Sequence, residues 1–96
     1  MTSIEPYIYT FEELPILPGL LASGKAELVS AGEGYEGEFY VNRVCLDEKD
    51  GWIYPAPYSL YGNVAKAIYN VIQDEKTTHG KHAAEEWAEH EKSYSD

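Results

Sequence analysis

The stretch SLYGNVAKAIYNVIQDEK, residues 59–76, constrains the fold more than any other part of the chain. Leu60, Val64, Ala67, Ile68, Val71 and Ile72 recur at spacings of 4, 3, 1, 3 and 1, which puts them on one face of a helix. Ser59 stands where an N-cap belongs. One amphipathic helix cannot cover its own apolar face, so a second layer must do it. A chain of 96 residues is one domain (1–96) with room for one modest core. The covering layer must therefore come from the residues before Ser59.

Those residues change period at Lys25. Ala26, Leu28 and Ser30 alternate with Glu27, Val29 and Ala31, which is a strand pattern. Gly32-Glu33-Gly34 follows as turn material, and EGEFYVNRVCL, residues 36–46, is rich in β-branched and aromatic side chains. Tyr40, Asn42, Val44 and Leu46 share one face there; the other phase slips at Phe39, and Gly37 marks a bulge nearby. Asp47 to Gly51 is a turn, and Trp52-Ile53-Tyr54 is a further strand ended by Pro55 and Pro57. Residues 25–54 thus read as a β-meander, and YIYTF, residues 7–11, would add a fourth short strand.

Residues 1–24 read as an irregular N-terminal segment. Thr10-Phe11-Glu12-Glu13 has the form of a capping box, with Glu13 placed to reach back to Thr10. Pro15 and Pro18 allow no more than a single turn after it. Leu14, Ile16, Leu17, Leu20 and Leu21 are expected to plug the core. At the other end, residues 79–94 have helical propensity. The apolar face of that helix is thin, made of Ala83, Ala84, Trp87 and Ala88, so Trp87 is either its anchor to the domain or an exposed contact point. The expected architecture is α+β: a small antiparallel meander of three to four strands, one long amphipathic helix (59–76) packed on it, and a C-terminal helix (79–94).

Gly32, Gly34 and Gly37 spell G-x-G-x-x-G, the spacing of a dinucleotide site. The chemistry requires a helix to follow, so that its N-terminus can hold the pyrophosphate. Here Phe39-Tyr40-Val41 follow, which are strand residues, and Glu33, Glu36 and Glu38 would repel a phosphate. The glycines are better explained by positive φ in a hairpin turn.

Charge limits the partners. Seventeen acids face seven bases, a net charge of −10, and Arg43 is the one arginine. Affinity for nucleic acid comes largely from Lys and Arg, so direct nucleic-acid binding is not expected, nor is attachment to an anionic membrane. No stretch approaches the roughly 18 apolar residues of a membrane span. The N-terminus MTSIEPYIYTFEELP lacks the basic start of a secretory signal. Cys45 is the only cysteine, which excludes an internal disulfide framework and fits a reducing compartment. The expected location is the cytoplasm of a bacterium or host cell.

The histidines cluster late in the chain, at His79, His82 and His90. On a helix His82, Glu86 and His90 share one face, but His82 and His90 then lie about 12 Å apart along the axis and cannot share an ion. Two ligands are too few for a firm metal site. A weak site shared between subunits, or a small enzyme built on this segment, is the third alternative. No G-x-S-x-G or H-E-x-x-H occurs, and Cys45 sits in a strand where a small buried apolar side chain is the usual role. No cofactor and no enzymatic activity are expected.

What remains is an acidic surface bearing tyrosines. Glu27, Glu33, Tyr35, Glu36, Glu38, Tyr40, Asp47, Glu48 and Asp50 fall within the meander, and Trp87 is added as a contact on the last helix. Residues 1–58 hold ten acids and three bases, a net of −7, against −3 for residues 59–96. Carboxylates on a rigid sheet can be spaced like phosphates, and tyrosines add contact area at low entropic cost. The layout of KAELVSAGEGYEGEFYVNRVCLDEKDGW followed by SLYGNVAKAIYNVIQDEK is similar to that of small acidic proteins encoded by phages and prophages. No residue in it is diagnostic, and none is assigned a role by it. The resemblance implies an accessory or anti-defence role. The expected function is that of a non-enzymatic protein-binding module, an inhibitor that occupies a basic, nucleic-acid-binding surface of a host protein. The structural alternative is an assembly module, a homodimer formed through the sheet edge or the Trp87 helix.

Overall fold

In the computed structural model, which describes residues 4–32, 34, 35 and 37–94, apolar side chains from the first half of the chain do form the layer that the helix requires. Three antiparallel strands come first: β1 (Tyr7–Leu17), β2 (Leu20–Ser30) and β3 (Phe39–Leu46), in the spatial order β1-β2-β3. Two helices follow, α1 (Leu60–Gln73) and α2 (Thr78–Lys92). The architecture is α+β, as the periodicity indicates. Both helices pack against sheet strands, and the core lies between the layers: Tyr9, Phe11 and Leu14 of β1, Ala26 and Leu28 of β2, Val41 and Val44 of β3, Ala65, Ile68 and Ile72 of α1, and Ala83 and Trp87 of α2.

The N-terminal segment is where the sequence misleads. Residues 7–17 are one continuous strand, neither irregular nor a capped turn. Tyr9 and Phe11 alternate inward, and the next inward residue is Leu14, three places on. The register with β2 shifts between Phe11 and Leu14, and Glu13 takes a positive φ of 52°. Glu12 and Glu13 thus stand together against the single residue Ser23, the two residues of a β-bulge. The Glu13 N–H is secured by the Ser23 hydroxyl at 3.1 Å. Pro18 and Gly19 then make the turn between the paired residues Leu17 and Leu20, with Gly19 at φ 80°. Proline's fixed φ followed by a glycine in the positive region is the signature of a type II turn. β2 therefore starts at Leu20, before the Lys25 that the alternation marks. Leu14 reaches the core, but Leu17, Leu20 and Leu21 are exposed and Ile16 is half-buried.

β3 carries a second bulge. Glu27 pairs with Arg43 and Leu28 pairs with Val41, which leaves Asn42 as the extra residue. The phase slip and the bulge lie there and not at Phe39 or Gly37, so Val41 and Val44 both face inward and Tyr40 does not share a face with Val44. Trp52-Ile53-Tyr54 is not a full strand. Ile53 alone bridges Val44, with backbone bonds of 2.9 and 2.7 Å, before Pro55 and Pro57 turn the chain away. The rest of that edge is occupied by one side chain. The Gln73 amide accepts from the Val41 N–H at 3.0 Å and donates to the Phe39 carbonyl at 3.1 Å, standing in for a neighbouring strand.

Gly24 sits mid-strand because the sheet closes tightly over it: a Cβ there would run into the Cys45 carbonyl oxygen. Ser59 caps α1 as its position indicates, accepting from the Gly62 N–H at 2.9 Å. The buried stripe of α1 centres on Ala65, Ile68 and Ile72, and Leu60 lies outside it at 75% exposure. Thr77 caps α2 by accepting from Gly80 N–H, while its own hydroxyl lies 2.8 Å from the Val71 and Asp74 carbonyls, which ties the two helices together. Among the described residues no helix is long and apolar enough to cross a membrane.

Candidate partner-binding surface

α2 is the element that organises the most chemically distinctive surface. Its anchor is Trp87, wholly buried and within ring contact of Phe39 at 5.9 Å. Of the two roles open to Trp87 in the sequence, the structure assigns the anchor, and its side chain is not on the outer surface. With Trp87 inward, the flanking positions of α2 are laid against β1 and the β2–β3 turn. The Tyr7 hydroxyl donates to Glu86 Oε1 at 2.7 Å, and the Tyr9 hydroxyl pairs with His79 Nδ1 at 2.9 Å. His90 Nε2 lies 2.6 Å from the Glu5 carbonyl oxygen, and Glu91 accepts from the Gly37 N–H at 3.0 Å.

Three aromatic rings surround His90: Tyr7 at 5.1 Å, Trp87 at 5.4 Å and Tyr94 at 5.2 Å. Beside it is an open groove of about 560 Å³, lined by Tyr7, Glu85, Glu86, Glu89, His90 and Ser93. Three carboxylates beside a tyrosine ring form a site that favours a guanidinium or ammonium group by charge, by hydrogen bonding and by contact with the π face. The hydrogen bond to Glu86, then burial and the Glu86 charge, hold the Tyr7 phenol above its usual pKa. Burial, followed by the Glu86 charge, does the same to Tyr9.

The residues singled out in the meander do not form one patch. Glu27 is committed internally. It accepts from Asn42 at 2.9 Å and from two nitrogens of Arg43 at 3.1 Å each, on the sheet face away from the helices. Burial pushes its carboxyl up, but the bonds from Asn42 and Arg43 and the Arg43 charge outweigh this and hold it below its usual range. The Arg43 guanidinium in turn lies over the Trp52 ring at 4.3 Å, with Lys25 on the same ring at 5.7 Å. Tyr40 is exposed, as are Tyr35 and Glu38 on the turn between β2 and β3. Asp47, Glu48 and Asp50 lie at the far end of β3, about 25 Å away at the usual rise per residue. Glu33 and Glu36 lie outside the described residues.

The glycine motif forms a turn, as its context indicates. Gly32, Gly34 and Gly37 all have positive φ, the Ala31 N–H bonds the Glu38 carbonyl, and β3 follows directly. The histidines are dispersed: His79 serves Tyr9, His90 serves Glu5, and His82 is exposed. Among the described residues no group of three or more His, Cys, Asp or Glu side chains is arranged to hold a metal ion.

Glu5, Tyr7, Glu85, Glu89, Glu91 and Tyr94 escaped the reading of the sequence. A signal was present: Glu91 and Tyr94 follow Trp87 at i+4 and i+7, so burying Trp87 brings them toward the domain. The chain matches no known protein family, curated protein or solved structure.

Proposed function

We propose that the protein is a non-enzymatic binding module that places acidic and tyrosine side chains in a basic cleft of a partner protein, one that otherwise holds nucleic acid. The observation that carries this reading is the groove at the α2 end. There Glu85, Glu86 and Glu89 converge beside Tyr7 and His90 in a chain of net charge −10. Charge of this kind speeds encounter with a basic surface and makes the complex salt-sensitive. Glu38 and Asp47, at the two ends of β3, stand about 25 Å apart, within one turn of duplex DNA at roughly 34 Å. That spacing suits a mimic of the phosphate backbone, in the manner of phage-type anti-defence inhibitors.

Self-association through a sheet edge has less in its favour. Gln73 and Ile53 occupy the β3 edge, and β1 carries the Glu12–Glu13 bulge and Pro15, features that blunt an edge against pairing.

The test is capture from the native host's lysate at low and high salt, with nuclease present. The intact protein should retain one nuclease-resistant, salt-sensitive partner. The exposed pair Glu85→Lys with Glu89→Lys should lose it by about tenfold or more in affinity. Equal retention by the double variant would sink the reading.

A further inference from the structure

The opposite end of the molecule has a different character. The β1–β2 hairpin tip, the start of α1 and the turn after β3 enclose a cleft of about 280 Å³ whose apolar walls include Ile16, Leu21, Leu46 and Val64, with Asp47 and Glu48 on its lining. Leu21 in its wall is 55% exposed, and Leu17 at the hairpin tip and Leu60 at the first position of α1 are 62% and 75% exposed. A cleft with open apolar walls is a contact surface in waiting. The core does not take these leucines up: of this segment Leu14 is wholly buried and Ile16 packs against the core, which leaves Leu17 and Leu21 outside.

The rim says what fits. Asp47 and Glu48 both line the cleft, and Ser23, on the same lining, holds the Asp47 N–H by its carbonyl. The nearby base is Lys49, stacked over the Tyr61 ring at 4.5 Å. A second copy of the chain would bring the same acids against them, and like charges oppose that contact. A segment with an apolar face flanked by lysine or arginine meets both requirements, leucines in the cleft and cations on the rim.

We infer that this end is a second docking surface, which takes a basic amphipathic helix of a partner protein. It uses none of the residues of the α2 groove and goes beyond the reading given for them. The cleft selects apolar side chains, and the rim sets the sign of charge beside them.

The experiment is an amide-resonance NMR titration of the full chain with three peptides of equal length: a lysine–leucine amphipathic helix, its lysine–alanine counterpart and its glutamate–leucine counterpart. The lysine–leucine peptide should bind, shifting Leu21, Asp47 and Val64. The other two should bind about tenfold more weakly or worse. Leu21→Ser should weaken the lysine–leucine peptide about fivefold, since roughly half of a leucine's surface is left to bury. Glu85→Lys with Glu89→Lys should leave it unchanged. Equal binding of the lysine–alanine or the glutamate–leucine peptide overturns the inference. So does peptide binding lost in the Glu85/Glu89 variant but kept in Leu21→Ser, which would leave the α2 reading standing. A dimer in sedimentation that Leu21→Ser breaks would give the cleft to a second copy. Adsorption to phosphatidylcholine vesicles, lost in the same variant, would give it to a membrane. Either result overturns the proposal.

Discussion

Trp87 is the largest wholly buried side chain, and its indole N–H finds no acceptor among the described residues. These two facts pull in opposite directions and can be separated. Trp87→Ala removes the anchor of α2 and should cost about 4 kcal/mol, the range for a buried aromatic cut to alanine. A domain of this length holds roughly 5–14 kcal/mol in all. With a urea m-value of about 1.3 kcal/mol/M, the midpoint should fall by about 3 M. Replacing Trp87 by benzothienylalanine keeps the shape and removes the N–H. An unpaired buried donor costs about 1–3 kcal/mol, so this substitution should be neutral or stabilising by about 1 kcal/mol. Urea unfolding followed by Trp52 fluorescence reads both variants, because Trp52 lies on the other face of the sheet. A loss above about 1 kcal/mol for the benzothienyl variant would refute the reasoning, since the N–H must then have an acceptor.

Gly24→Ala should cost about 3 kcal/mol, from a Cβ forced against the Cys45 carbonyl, and lower Tm by about 15 °C. Gly19→Ala, at φ 80° with open space around it, should cost only about 1 kcal/mol in the same melt. The carboxyl of Glu27 is lowered in the fold, so its contribution is present above the ordinary value of 4.5 and is lost as pH falls through its folded value; Glu27→Gln should flatten that acid limb of stability. The phenol of Tyr7 is raised, so its contribution is complete below the ordinary 10.0 and is lost as pH rises through its folded value; Tyr7→Phe should flatten the alkaline limb in urea titrations.

The legible parts of the fold were those governed by one period. α1 could be read because its apolar residues recur without interruption behind a serine cap, and Ala26 and Leu28 because nothing breaks their alternation. β1 was hidden by an insertion of charge. Glu12-Glu13 between Phe11 and Leu14 breaks the period of two, and Thr10 with Glu13 imitates a capping box; only the pairing with β2 shows that the chain is extended there. Asn42 does the same to β3. The candidate surface was less legible for a different reason. Adding charge by halves of the chain weights the meander, but the Glu27 carboxylate faces Arg43, and the α2 glutamates lie beside β1 residues some eighty positions earlier in sequence. A linear count cannot carry that folding-back.

A chain this acidic holds its sheet together by placing charge where it is paired or solvated. Glu27 is matched by Arg43 and Asn42, and Glu86 is matched by Tyr7. Among the other described acids, Glu12 and Glu13 lie exposed on the β1 bulge, Asp47, Glu48 and Asp50 after β3, and Glu85 and Glu89 on the exposed side of α2, where water and salt screen them. The same placement decides which surfaces can meet a partner. The β3 edge is taken by Gln73 and Ile53, and β1 is bent at its bulge and interrupted by Pro15. Between the edges, the open sheet face is crossed by Trp52, which is stacked with Arg43 and Lys25. The two ends of a body 43 Å long remain. One presents carboxylates and aromatic rings, and the other presents leucines with an acidic rim. A partner that engaged both would need a basic surface reaching along that length, and its affinity would be lost in part, not in whole, when either end is altered.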